Sequence, residues 1–209
     1  MRIHEIAESY PALRLAKKIA AECQPYLSQI SPTTRLWRGM YDSSTMQTSK
    51  LKCPVGRQPM STAEHLHEFI DGWFLSNTGI SYRSNAVFAT GNPTMAAEFG
   101  RPFAIFPTGA FKFCWSPNVI DMTYDLVKPR SSMYSNLEDI AEPEDDEEEK
   151  EQLETMENAL VSAKYIQNHL VDAIQSGNEI MIHCPTYFLV AAEVVDDVMQ
   201  HLVELCNAQ

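Results

Sequence analysis

The 209-residue sequence contains no apolar run approaching the roughly 20 residues that a membrane-spanning helix needs. Residues 1–18 also lack the apolar segment of a signal peptide. We therefore expect no membrane partner and a cytoplasmic location, which would be the host cytoplasm for a protein encoded by a phage or another mobile element.

Paired cysteines are absent as well. The five cysteines are odd in number, far apart and without a Cys-x-x-Cys pair, which argues against a disulfide framework or a zinc knuckle and indicates reduced, buried thiols. His65 and His67 fall on different faces of a predicted helix, whereas helical metal ligands are three or four residues apart. The sequence thus predicts no metal site.

Basic residues are few, and the formal net charge is −12. Between Glu138 and Glu157 stand 12 acidic residues and one lysine, so the rest of the chain is close to neutral. Without a basic stripe to follow phosphates, nucleic acid is not an expected partner. The densest part, about 138–151, is interpreted as a mobile acidic insertion, with docking of a basic partner as the alternative.

The sequence also lacks internal repeats, a glycine-rich phosphate loop and any local signature of a Ser-His-Asp or Cys-His set. What it does have is 44% hydrophobic residues, enough to bury the core of a single domain spanning residues 1–209. The common nucleotide-binding motifs are therefore excluded, although a folded globular domain is expected.

The order of the segments indicates an α+β fold. Apolar strand segments arrive in hairpin-like pairs, which favours two small, mostly antiparallel sheets flanked by helices over a parallel, doubly wound sheet. The pattern predicts a long loop over Tyr41–Pro59, a helix from Gln152 to about Ile174, and a closing helix from Val194 to Cys206.

The stretch Arg83–Gly100 is predicted to form a strand, a turn and a short helix in succession. Asn85–Ala89 has the apolar content of a buried strand, and Asn92 can cap the helix that follows. Phe88 and Phe99, eleven residues apart, could converge across this corner to form a slot for a flat ligand. The alternative is that both rings belong to an ordinary core.

Two charged residues stand at the strands on either side of this stretch. Arg38 lies in the middle of the predicted strand Thr34–Met40, where its side chain either reaches the surface or is held in a cleft to meet an anion. Glu179 opens a late apolar strand, EIMIHC. Considered alone, Glu179 reads as a solvated residue at a strand end.

The order of these three pieces resembles the ADP-ribosyltransferase superfamily. Its members place a basic residue before a glycine on an early strand, then a strand-to-helix segment, then a glutamate that opens a late strand. Arg38 and Gly39 are similar to the arginine-type transferases, whereas the pair Phe88 and Phe99 is similar to the diphtheria-toxin and poly(ADP-ribose)-polymerase type. The resemblance covers roughly residues 34–190.

The resemblance implies a split β-sandwich of two sheets and a mono-ADP-ribosyltransferase that uses NAD as substrate. Glu179 would be catalytic, stabilising the positive charge that develops on the ribose as the nicotinamide bond breaks. The implied NAD-binding residues are Arg38, Gly39, Phe88, Thr90 and Phe99. Because Gly177 stands where arginine-modifying enzymes have Glu or Gln, the expected acceptor is a protein modified at another residue type. The alternative is a non-catalytic module of the same fold that binds a protein partner.

Overall fold

The computed structural model describes residues 11–41, 45–58, 62–127, 143 and 145–207. The strands, in chain order, are β1 (Leu36–Met40), β2 (Thr48–Lys52), β3 (Val87–Thr90), β4 (Arg101–Pro107), β5 (Lys112–Trp115), β6 (Glu179–His183) and β7 (Thr186–Ala191). The α-helices are α1 (Pro11–Glu22), α2 (Gln24–Leu27), α3 (Glu64–Thr78), α4 (Tyr82–Asn85), α5 (Pro93–Ala97), α6 (Asp146–Ala163), α7 (Leu170–Ser176) and α8 (Val195–Asn207). A π-helical turn, Thr123–Val127, follows β5.

The seven strands form a single sheet in the order β2-β7-β4-β1-β3-β6-β5, and every neighbouring pair is antiparallel. The α+β class with antiparallel pairing is thus confirmed, whereas the prediction of two separate sheets is not. The reason is the pairing of β1 with β3, which joins the two halves through the single register pair Trp37 and Thr90. A local sequence pattern does not show whether such a join forms.

Both faces of the sheet are covered, which follows from the alternation of side chains along each strand. In β6, Ile180 and Ile182 point into one hydrophobic cluster, and Met181 between them points into the other. The first cluster includes residues of α1 and α8, and the second includes residues of α3 and α6. The sheet therefore lies between two layers of helices.

The corner after β3 forms as the sequence predicts. The Asn92 side chain accepts hydrogen bonds from the backbone N–H groups of Thr94 and Met95, and Pro93 is the first residue of α5. The strand itself is shorter than predicted, because Asn85 ends the short helix α4 and β3 begins only at Val87. The predicted strand-to-helix corner is nevertheless confirmed.

Part of the predicted loop Tyr41–Pro59 is a strand. Residues 48–52 form β2, whose side chains alternate in exposure and which pairs along its full length with β7. The polar sequence TSKLK resembles a loop because β2 lies at the edge of the sheet, where lysines protect the unpaired side from other chains.

The predicted helix from Gln152 to about Ile174 is two helices, α6 and α7, separated by residues 164–169. The breaks fall at Lys164 and His169, both of which adopt left-handed backbone angles. Helix α6 also begins earlier, because Asp145 caps it and acidic residues in its first turn are favourable near a helix N-terminus. The predicted acidic insertion therefore overlaps α6, and its residues 138–142 and 144 lie outside the described ranges. The closing helix agrees with its prediction to within one residue at each end.

Candidate functional site

A cavity of about 380 Å³ opens where β1, β3 and the start of β6 meet α5. Its wall includes all six residues that the resemblance described above implies for the site. They are Arg38, Gly39, Phe88, Thr90, Phe99 and Glu179. Trp37, the partner of Thr90 at the join of the sheet, also lines it. Segments separated by up to about 140 residues in sequence therefore come together at one pocket, although the roles assigned to them stay predictions.

Glu179 is the first residue of β6 and is half-buried in the pocket wall. Its backbone N–H donates to the carbonyl oxygen of Ile120 at 2.8 Å, which brings the loop after β5 against the start of β6. Desolvation, reinforced by the negative charge of Asp121, raises the pKa of Glu179 to about 8, while Arg83, a backbone hydrogen bond from Met122 and Arg57 oppose this shift. In the ligand-free protein at pH 7, this carboxyl group is mostly neutral.

Replacement of Glu179 by Gln is expected to stabilise the protein at high pH and not at low pH. A carboxyl group with a raised pKa stabilises the folded state below its unfolded pKa, near 4.5, and this contribution is lost as the pH rises to about 8. Above pH 8 the neutral amide avoids a desolvated charge, and we expect a gain of about 1–3 kcal/mol, or roughly 3–10 °C in melting temperature. The change in melting temperature is measured by thermal unfolding at pH 5 and pH 9, with Glu68→Gln, a change at an exposed residue, as the control. Equal shifts at both pH values would contradict it.

Arg38 lies in the middle of β1 with its head in the pocket wall. One terminal nitrogen donates to the carbonyl oxygen of Phe88 at 2.9 Å, and its Nε is a buried donor with no hydrogen-bond partner among the described residues. Desolvation lowers the pKa of Arg38. Of the two interpretations that the sequence left open, the structure favours the one in which Arg38 is held in a cleft. A bound anion would stabilise a desolvated cation in the pocket wall.

Gly39 is required by the close approach of β1 to the end of α5. A Cβ atom added there would lie 2.1 Å from the carbonyl oxygen of Ala96 and 2.7 Å from the carbonyl carbon of Phe99. No side chain fits at these distances. Gly39 therefore holds the segment that carries Phe99 against the strand that carries Arg38.

Substitution Gly39→Ala is expected to destabilise the fold by about 1–3 kcal/mol, because the new methyl group must displace the backbone of residues 96–99. Gly72→Ala is the matched control. A Cβ on Gly72, on an exposed face of α3, meets no described atom within 4 Å, so this change should stabilise the helix by about 0.5–1 kcal/mol. Urea unfolding of both variants tests the opposite signs, and a neutral Gly39→Ala would show that the corner is loosely packed.

The two predicted rings line the pocket but differ in their surroundings. Phe88 is half-buried, and the guanidinium carbon of Arg57 lies 4.1 Å from the centre of its ring. Phe99 is 44% exposed at the mouth of the cavity. One face of Phe88 is therefore already covered by a cation, which leaves the more exposed Phe99 as the freer surface for a flat ligand.

The hydroxyl group of Thr90 is used within the protein. It donates to the carbonyl oxygen of Gly177 at 2.5 Å and accepts from the backbone N–H of Asn92 at 3.1 Å. These bonds hold the corner after β3 against the residue that ends α7. Although Thr90 lines the pocket, its proton is committed to this contact, so its role is that of a structural support.

Three charged residues of the pocket wall escaped the sequence analysis: Arg57, Arg83 and Asp121. Arg57 follows β2 in the segment predicted as a loop, and Arg83 belongs to the short helix α4. These three residues form no recognisable sequence motif, because only the tertiary fold brings them together at the cavity. The one available signal was Arg83 itself, an arginine next to a predicted buried strand.

Arg83 is only 8% exposed and is held from several sides. Its backbone N–H donates to the Asp71 carboxylate at 2.8 Å, and one terminal nitrogen donates to the hydroxyl of Thr62 at 2.9 Å. Its Nε is a further buried donor with no partner among the described residues. Burial lowers the pKa of Arg83, so the protein keeps a costly cation at this position.

The pocket wall thus combines three arginines with two carboxyl groups. Burial, aided by the positive charges of Arg38 and Arg83, lowers the pKa of Arg57 to about 10, which still leaves it cationic at neutral pH. With Glu179 mostly neutral there, positive charge exceeds negative charge in the wall. The donor set therefore fits a ligand that carries phosphate groups.

No protein-family model, curated protein or solved structure matches the chain. Among the helices of the described ranges, none is long and apolar enough to span a membrane.

Proposed function

We propose that the protein is a mono-ADP-ribosyltransferase that cleaves NAD and transfers ADP-ribose to a protein acceptor at a residue other than arginine. The observation that carries this proposal is the convergence of Glu179, Arg38, Phe88 and Phe99 on one cavity of about 380 Å³. That volume is within the range of small-molecule sites. A cavity with excess arginine and one glutamate suits a dinucleotide with a diphosphate and a reactive ribose.

The proposed fold is the split β-sandwich of the ADP-ribosyltransferases. The halves β2-β7-β4-β1 and β3-β6-β5 are joined by one residue pair, Trp37 and Thr90, and both residues of that pair line the cavity. A sheet whose two halves are joined by only one residue pair, at the cavity, supports this assignment.

Each residue has a role that follows from its chemistry. Arg38, with Arg57 and Arg83, binds the diphosphate through planar, charge-assisted hydrogen bonds. Phe99 stacks on the nicotinamide, whose ring is cationic until the bond to ribose breaks. Glu179 in its ionised form stabilises the positive charge that develops on the ribose.

The exposed apolar side chains at the mouth of the cavity support the proposal of a protein acceptor. Tyr41, Phe99 and Ile120 all line it, and their side chains are 71%, 44% and 44% exposed. Large apolar side chains grouped at one site are typical of surfaces that bind another protein. The same observation favours the second candidate, a non-catalytic module that binds a partner here.

One experiment separates the two candidates. The purified protein is incubated with NAD labelled in the adenylate half, alone and with a cell lysate, and released nicotinamide and labelled macromolecules are measured. The transferase is supported if nicotinamide is released and the label stays attached to macromolecules after denaturing washes at neutral pH. No release at any pH between 6 and 9, with no NAD binding by calorimetry, leaves the binding module.

The pH dependence of the reaction should follow Glu179. If the ionised carboxylate is required, kcat/KM for NAD falls about tenfold for each pH unit below the pKa of about 8 and levels off above it. Initial rates of nicotinamide release from pH 5.5 to 9 measure the profile. A flat profile over this range would show that Glu179 is ionised throughout or takes no part.

A further inference from the structure

The pocket holds a second carboxyl group, that of Asp121, for which the proposed roles leave no function. Asp121 is half-buried, lines the cavity beside Glu179 and belongs to the loop between β5 and the π-helical turn. The neighbouring carbonyl of Ile120 accepts the hydrogen bond from the Glu179 backbone, so the two acidic residues are held next to each other by main-chain contacts.

The loop fixes the Asp121 side chain. Its Oδ1 accepts a hydrogen bond from the backbone N–H of Tyr124 at 3.0 Å. The backbone N–H groups of Ile120 and Asp121 both donate to the Asp125 carboxylate, at 2.6 and 3.2 Å. The Asp121 carboxylate is therefore pre-positioned at the cavity by the loop itself, a property required of a group that acts on a substrate.

The two carboxyl groups interact electrostatically. The negative charge of Asp121 adds to desolvation in raising the pKa of Glu179 to about 8. Burial raises the pKa of Asp121, and backbone hydrogen bonds from Tyr124 and Thr123 oppose this rise. Of the other charged groups that face Asp121, Asp125 raises its pKa and Arg83 lowers it. Two carboxyl groups placed together in a site that breaks a glycosidic bond can divide the work between charge stabilisation and proton transfer.

We propose that Asp121 is the general base that removes the proton from the nucleophile, water or a hydroxyl group of the acceptor, as the nucleophile bonds to the ribose carbon of NAD. In this step the bond from that carbon to the nicotinamide nitrogen breaks, and its electron pair stays on nicotinamide, which leaves neutral. The proton passes from the nucleophile to Asp121 and then to solvent. The inference rests on the proposed function and adds the group that activates the acceptor.

The test uses azide, an anionic nucleophile that has no proton to lose. Asp121→Asn in the full chain is expected to lower NAD hydrolysis by roughly a hundredfold or more and to leave the Kd for NAD within about threefold. Azide should then restore nicotinamide release at least tenfold and give ADP-ribosyl azide, detected by mass. Asp125→Asn, which perturbs the same loop but leaves the base, should show no azide rescue beyond that of the wild type.

A second variant, Asp121→Ser, keeps a hydrogen-bond acceptor without charge, so the test stands if the asparagine variant fails to fold. Wild-type rates in either folded variant overturn the inference. The inference is also overturned if a variant loses activity, still binds NAD and is not rescued by azide. If the wild-type protein releases no nicotinamide, the proposed function itself fails. That result is distinct from the two outcomes that overturn the role of Asp121.

Discussion

Glu179→Gln is expected to lower the turnover of NAD by roughly a hundredfold or more while the Kd for NAD changes by less than about threefold. The amide keeps the shape and hydrogen-bonding capacity of the side chain but cannot become negative. Because Glu179 has a pKa of about 8, the neutral amide resembles the carboxyl group that NAD meets at pH 7. Ground-state binding is therefore preserved, and only the charge that develops at the ribose loses its counter-charge.

Nicotinamide release is measured in a single-turnover assay at pH 9, where the ionised form of the wild-type carboxyl group predominates, and NAD affinity is measured by calorimetry at pH 7. The exposed Glu68→Gln variant controls for the loss of one negative charge and should match the wild type. Equal loss of binding and turnover in Glu179→Gln would assign the residue to ground-state recognition. If turnover and NAD binding are both unchanged in the variant, Glu179 is not a catalytic residue.

Local chemistry accounts for the parts of the fold that could be predicted from sequence. The corner after β3 depends on Asn92 and Pro93, whose capping and backbone preferences act within a few residues. The join between β1 and β3, and the pairing of β2 with β7, depend on partners more than 50 residues away in sequence. For that reason the sequence predicts a loop where the edge strand β2 forms, and two sheets where the structure has one.

The same distinction applies to the pocket. Arg38 and Glu179 were recognisable because an ordered set of motifs resembles a known superfamily. Arg57, Arg83 and Asp121 have no such motif, and they reach the cavity only through the packing of a loop, a short helix and a turn against the strand ends. The charge balance of the site, and with it the raised pKa of Glu179, therefore could not be derived from the sequence.

Arg38→Ala is expected to weaken NAD binding by roughly 10- to 150-fold, because it removes charge-assisted contacts worth about 1.5–3 kcal/mol. In the ligand-free protein, Arg38 makes one hydrogen bond to the carbonyl oxygen of Phe88 and keeps a buried Nε donor without a partner among the described residues. The guanidinium group lines the cavity, where a diphosphate oxygen can bind it. We therefore expect Arg38→Ala to weaken NAD binding more than it lowers the stability of the protein.

Calorimetric titration with NAD measures the effect, and Arg14→Ala, which removes an exposed arginine of α1, is the control for net charge. Arg38→Lys keeps the charge but lacks the planar fork, so its affinity should fall between those of the wild type and the alanine variant. Affinity for nicotinamide alone should not change in Arg38→Ala, because that ligand carries no phosphate. If both ligands weaken together and the melting temperature drops, Arg38 acts by supporting Phe88, and the diphosphate belongs to Arg57 and Arg83.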